Sequence, residues 1–99
     1  MKLKGYDLYT NLYITPWEAA LGGKVEVKSI DEELKVEIPQ GIQSGEIINI
    51  PGKGYRSGKG NRGNFIAEIK IMVPKKLTEQ EKEIFERLKK ISKFNPRNP

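Results

Sequence analysis

The sequence predicts a mainly β fold: a small antiparallel β-sandwich-like domain with a short inter-strand helix and a C-terminal helix. Three observations lead there. Several segments alternate apolar and polar side chains with the period of two that a half-buried strand requires. Two Thr-x-x-Glu boxes, Thr15-Pro16-Trp17-Glu18 and Thr78-Glu79-Gln80-Glu81, mark helix starts. Clusters of glycine and proline punctuate the intervals between these segments.

Taken in order, Asp7 to Ile14 places Leu8, Thr10, Leu12 and Ile14 on one face of a strand and Tyr9, Asn11 and Tyr13 on the other. In the first box Thr15 caps, Pro16 suits the first helical position and Glu18 reaches back, so a short helix runs until Gly22-Gly23 stops it. Trp17 and Leu21, four residues apart, are expected to close one end of the β core. Lys24 to Lys28 and Leu34 to Ile38 alternate again and read as an antiparallel pair. Asp31-Glu32-Glu33 offers no Gly or Asn for a tight turn, so the connection is expected to be looser. After the punctuation of residues 39–45, Ile47-Ile48-Asn49-Ile50 makes a short strand.

Residues 51–64 hold five of the ten glycines, and their cations Lys53, Arg56, Lys59 and Arg62 have no acidic neighbour in sequence, which reads as a mobile basic loop. Phe65 to Val73 is the best strand, with Phe65, Ala67, Ile69, Ile71 and Val73 opposite Ile66, Glu68, Lys70 and Met72, and Pro74 ends it. Past the second box, Ile84, Phe85, Leu88 and Ile91 form a stripe at helical spacing over residues 78–91. Glutamates crowd the start of this helix and Arg87, Lys89 and Lys90 its end, the sense that complements the helix dipole. The expected organisation is one domain over 1–99, with β structure over about 5–76, the helix at 78–91 and a frayed tail at 92–99.

Composition narrows the chemistry. The 99 residues include no Cys and no His, so disulfides, thiolate or imidazole metal sites, cysteine nucleophiles and histidine bases are excluded. Carboxylates occur as strand alternation and helix-start charges, without an acid/base pair. No catalytic residue, metal or cofactor is therefore expected. No apolar run approaches the roughly 20 residues of a membrane span, and residues 1–5 lack a signal-peptide core, so a cytoplasmic setting is the expectation. The net charge of +5 is polarised: residues 5–50 carry three basic and eight acidic side chains, which leaves the cations to the N-terminus, the 51–64 loop and the C-terminal third.

Gly58-Lys59-Gly60-Asn61-Arg62-Gly63 fits the spacing of a dinucleotide fingerprint, but that motif needs a helix after it and here a strand follows, so it reads as a connection. Lys53, Arg56, Lys59 and Arg62 are candidates for phosphate contacts, with Tyr55 the one aromatic among them. Tyr9, Tyr13, Ile66 and Met72 lie on faces that are otherwise polar. They either pack on a second sheet or form an exposed apolar groove.

Together, Asp7-Leu8-Tyr9 and the block from Ile14 to Val27 resemble the opening of the second C-terminal β-domain of DnaJ-type J-domain co-chaperones. Val36-Glu37-Ile38-Pro39 with Gly41, Gln43-Ser44-Gly45, Gly52-Lys53-Gly54, Arg62-Gly63-Asn64-Phe65 and Val73 to Thr78 agree in order, so the resemblance covers about residues 5–91. It departs at Asp31-Glu32-Glu33, where relatives often have a Gly-containing turn, and at Asn64, where Asp is usual. The absence of His and Cys also means no His-Pro-Asp tripeptide and no Cys-rich zinc module, as in an excised domain or a truncated relative. Stimulation of a DnaK-type ATPase is therefore not expected of the chain itself.

The resemblance implies a non-enzymatic module that holds unfolded client polypeptide and supports dimerisation, with a DnaK-type chaperone engaged through a J-domain missing here. On that reading Tyr13, Ile66 and Met72 are expected in the client surface. Ile84 and Leu88 are expected against the core, with Phe85, Ile91 and Phe94 toward a partner copy in a weak homodimer. A basic nucleic-acid module using Lys53, Arg56, Lys59 and Arg62 is the alternative.

Overall fold

The computed structural model describes residues 1–30 and 32–97. Six strands and two helices follow one another: β1 (Lys2–Lys4), β2 (Asp7–Ile14), α1 (Pro16–Leu21), β3 (Gly23–Lys28), β4 (Glu33–Ile38), β5 (Ile47–Ile50), β6 (Phe65–Ile71) and α2 (Glu79–Ile91). They form a four-stranded sheet in the order β1-β2-β6-β5 and a separate β3-β4 ribbon. The mainly β class, the short helix between strands and the terminal helix are as the sequence predicts. β1 was not expected, because its three residues, Lys2-Leu3-Lys4, are too few to show a period.

One ladder departs from the antiparallel expectation: β2 and β6 run parallel, with Leu8 opposite Phe65 through Ile14 opposite Ile71. Parallel neighbours need a long crossover, and residues 15–64, which include α1, the ribbon and β5, supply it. Side by side at the centre of the sheet, the two strands turn Leu8, Leu12, Ile14, Phe65, Ala67 and Ile69 inward. Leu34, Val36 and Ile38 of β4, with Ala19 and Ile42, complete one core. At ~25 cal/mol per Å² of apolar surface removed from water, each fully buried large side chain contributes about 2 kcal/mol before entropy is counted.

The register of the ribbon follows from its outer face. Lys24 lies opposite Glu37, Glu26 opposite Lys35 and Lys28 opposite Glu33, so every outward pair joins opposite charges, while a shift by one residue would turn Leu34, Val36 and Ile38 to water. Residues 29–32 connect the two strands, and Ser29 N–H donates to the Glu32 carbonyl at 2.8 Å. The loose turn expected at Asp31-Glu32-Glu33 lies partly outside the described residues, at Asp31.

Both capping boxes are formed, Thr15 with Glu18 and Thr78 with Glu81. The core-facing residue of α1 is Ala19, whereas Trp17 and Leu21 are 43% and 76% exposed and do not close the core as expected. A six-residue helix gives one narrow face to the sheet, and here the small residue takes it. No residue of α2 is buried. Ile84 and Leu88, expected against the core, are 64% and 52% exposed, because α2 meets the body through its Phe85 ring, 6.3 Å from the ring of Trp17.

Candidate functional site

The outer face of the four-stranded sheet carries the candidate binding surface. Register sets its pattern: Tyr9 stands beside Ile66, Asn11 beside Glu68 and Tyr13 beside Lys70. From β5, Ile47 lies beside Glu68 and Asn49 beside Ile66. Tyr9, Ile47 and Ile66, with Met1 and Lys2 at the rim, line a shallow groove of about 660 Å³ that crosses the strands. Its apolar part arises because alternation that turns Leu8, Ile48 and Ala67 toward the core must send Tyr9, Ile47 and Ile66 to the other side, where Asn11 and Glu68 join them.

Of the expected client residues, Ile66 is half-buried and belongs to this groove. Tyr13 and Met72, 63% and 53% exposed, fall at the other end of the sheet, where Met72 N–H donates to the Ile14 carbonyl at 2.9 Å. Four register positions separate Ile66 from Lys70, the neighbour of Tyr13, about 13 Å at 3.3 Å per residue. The three side chains therefore do not converge. Between the two apolar ends sits a polar band in which Lys70 Nζ meets Glu68 Oε2 at 2.6 Å. The hydrogen bond that Lys70 donates to the Glu68 carboxylate, reinforced by the negative charge of that group, raises the Lys70 pKa above the ordinary lysine value. Tyr9 and Ile47 complete the groove, and Ile47 was the residue not anticipated. Its signal was present in β5, where Ile48 and Ile50 take the core face and leave Ile47 outside.

A second apolar groove, of about 650 Å³, lies between the helices, lined by Trp17 and Leu21 of α1 and by Ile84, Phe85 and Leu88 of α2. Of the expected dimer residues, Phe85 is half-buried against Trp17, while Ile91 and Phe94 are 70% and 81% exposed. The sequence reading missed the pairing of Trp17 with Phe85, which comes from residues 68 positions apart.

The basic segment is a folded hairpin and not a mobile loop. Arg56 and Arg62 face each other in a bridge, Ser57 N–H donates to the Asn61 carbonyl at 2.7 Å, and Ser57 Oγ accepts from the Asn61 and Lys59 amides. Nor do its cations lack an acid: Glu32 Oε1 meets Arg62 Nη2 at 2.9 Å and Lys53 Nζ at 3.5 Å, across a separation no local reading could supply. Arg62 Nε donates to the Gly54 carbonyl. Tyr55 N–H donates to the Tyr6 carbonyl at 2.8 Å, which sets a second exposed tyrosine beside the hairpin.

Residues 1–74 match the family model for the DnaJ C terminal domain. The chain belongs to this family. This DnaJ C-terminal domain is 38% identical over 95 residues to a Curved DNA-binding protein of Pseudomonas putida, covering 96% of the chain and 30% of that protein. It is 35% identical over 95 residues to Chaperone protein DnaJ 2 of Synechocystis sp., covering 96% of the chain and 31% of that protein. To Chaperone protein DnaJ of Caldicellulosiruptor saccharolyticus it is 40% identical over 93 residues, 92% of the chain and 24% of that protein. The chain thus spans about a quarter to a third of the length of these relatives. Among the described residues of the DnaJ C-terminal domain, no helix is long and apolar enough to cross a membrane.

Proposed function

We propose that this DnaJ C-terminal domain is a non-enzymatic co-chaperone module that binds unfolded or non-native polypeptide. It would act in the cytoplasm beside a DnaK-type chaperone, engaged by the J-domain of a parent protein. The observation that carries the reading is the groove on the outer sheet face, where Tyr9, Ile47 and Ile66 form an apolar surface. Exposed apolar surface of this kind, rimmed by polar side chains, suits a partner that offers apolar residues without a fixed shape. Ile66 contributes inside the groove, and Tyr13 with Met72 forms a second contact point further along the same segment of client. Chemical-shift perturbation with an unfolded peptide tests this: shifts at Tyr9, Ile47 and Ile66 are expected, and shifts confined to other faces would overturn it.

The same reading gives α2 the role of a dimerisation arm. Ile91 at the end of α2 and Phe94 three residues beyond it, both exposed, would meet a second copy, and the acidic start and basic end of the helix would complement each other in an antiparallel pair. Sedimentation equilibrium on the wild type and on Phe94→Ala measures it; a wild type that stays monomeric at millimolar concentration would remove the dimer.

A second reading, binding of nucleic acid through Lys53, Arg56, Lys59 and Arg62, is favoured by the exposed Tyr6 held beside Tyr55 and by the exposed Arg56 and Lys59, while Lys53 and Arg62 are paired with Glu32. Salt separates the two. Phosphate binding falls steeply with ionic strength, whereas apolar client binding does not.

A further inference from the structure

α2 stands clear of the core: none of its residues is buried, and the Phe85 ring, against Trp17, joins it to the body. At about 100° of turn per residue, Ile84, Leu88 and Ile91 fall within about 60° of arc, with Phe85 bordering them on the side of α1. All three are exposed, as are Trp17 and Leu21 across the shared groove and Phe94 beyond the helix.

The charges of the helix are sorted around this stripe. Arg87 lies about 40° beyond Ile91 on one flank, and Lys89 and Lys82 lie about 40° and 60° beyond Phe85 on the other. Glu79, Glu83, Glu86 and Lys90 lie within about 40° of the pole opposite Leu88. Three of the four helix acids thus point away from the stripe, and its borders are basic. The fourth, Glu81, is on the stripe side in the first turn, where its carboxylate accepts from the Thr78 amide at 2.8 Å. Lys75, Lys76, Lys93 and Arg97 extend the basic character past both helix ends, so residues 75–97 hold eight basic and four acidic side chains, with every basic one exposed.

An apolar stripe with cations on its borders and acids at the far pole is the order that an anionic bilayer surface accommodates. The stripe enters the boundary between headgroups and acyl chains, the long basic side chains reach sideways to lipid phosphates, and the acids stay in water. With 13 residues α2 is about 20 Å long, enough to lie on a bilayer and too short to cross its apolar interior of about 30 Å.

We propose that α2, together with the exposed Trp17 of α1, is an interfacial surface that docks the domain on membranes rich in anionic lipid: Ile84, Leu88 and Ile91 enter the interface while Arg87 and Lys89 contact headgroup phosphates. The inference goes beyond the polypeptide-binding reading and uses none of the residues of the outer sheet groove. A second copy would cover the same end of α2, so membrane-bound and dimeric forms exclude each other.

Trp17 is the one tryptophan of the chain and reads the site directly. The test mixes the whole chain, at micromolar concentration, with vesicles of phosphatidylglycerol and phosphatidylcholine in equal parts. Sedimentation with this lipid is expected to be about tenfold or more stronger than with phosphatidylcholine alone and to weaken at high salt, and Trp17 emission is expected to shift to the blue. Lys89→Gln and Lys90→Gln remove the same charge from adjacent exposed positions, one on the border of the stripe and one at the far pole. The first is expected to weaken binding about fivefold and the second less than about twofold, with both melting as the wild type does. Equal weakening by the two would mean attraction by net charge alone and overturn the proposal. Vesicle binding that leaves Trp17 unshifted would put the lipid on another face and overturn it too, as would failure to bind the anionic vesicles. A Trp17 already blue-shifted without lipid, with dimers in sedimentation, would give the face to a second copy and overturn the lipid occupant.

Discussion

At Gly63 a methyl group has nowhere to go: a Cβ there would overlap the backbone carbonyl of Tyr6 and approach Asp7 Oδ1 to 2.6 Å. The obstruction is mostly backbone, pinned by the hydrogen bond from Tyr55 N–H to the Tyr6 carbonyl and by Asn64 N–H donating to Asp7 Oδ1 at 2.7 Å. Gly63→Ala is therefore expected to cost about 3 kcal/mol, read as a shifted urea midpoint, whereas Gly58→Ala, with open space around it, should stay within about 0.5 kcal/mol. Equal effects of the two would show that the Tyr6 turn yields. A second residue-scale expectation concerns Lys70, whose pKa Glu68 raises above the ordinary 10.5. A raised folded value means that the pair's contribution is fully present below about 10.5 and is lost as pH rises through the folded pKa. Both side chains are solvated, so the effect on stability is small, and NMR titration of the Lys70 side chain is the sensitive measurement. In Glu68→Gln the Lys70 pKa should fall back toward the ordinary lysine value; an unchanged value would mean that the contact at 2.6 Å does not persist in solution.

At the scale of elements, the Glu32 carboxylate ties the β3-β4 turn to the hairpin of residues 54–63. Its side chain is 35% exposed and that of Arg62 16%, so the pair is partly screened, and Glu32→Gln is expected to cost about 1 kcal/mol, less at high salt. Denaturation at low and high ionic strength checks it, and a cost that does not change with salt would mean that the carboxylate acts as a hydrogen-bond acceptor alone. The hairpin shows where sequence reasoning stops. Glycine content and unopposed cations in residues 51–64 suggest mobility, yet the ordering groups, Tyr6, Asp7 and Glu32, are contributed by strand ends far away in the chain. α1 and α2, by contrast, were legible to within a residue, because Thr15 with Glu18 and Thr78 with Glu81 satisfy helix-end amides locally.

For the molecule as a whole, extents of 57 × 30 × 20 Å and a radius of gyration of 16.9 Å describe an elongated body. A compact chain of this length would have a radius near 13 Å. α2 contributes no buried residue, while the core is drawn from β2, α1, β4, residue 42 and β6. A chain ending at Leu77 is therefore expected to keep a cooperative melt, losing about 1 kcal/mol with the Trp17–Phe85 ring contact, and to scatter with a smaller radius. Collapse of that shortened chain would show that the helix is part of the folding unit. Retained stability would free α2 to act as an arm.

The sequence by itself determined what depends on neighbours along the chain: the faces of β2, β4 and β6, the two capped helices, the absence of thiol and imidazole chemistry, and, through ordered motif blocks, the family. Each of these is a matter of period, local hydrogen bonding or composition. Tertiary structure alone decided which faces meet. The crossover that makes β2 and β6 parallel set Tyr9 beside Ile66 and parted Tyr13 from it. The docking of α1 put Ala19 in the core and sent Trp17 to Phe85. Such outcomes turn on strand order and register between segments tens of residues apart, for which alternation within one strand carries no information.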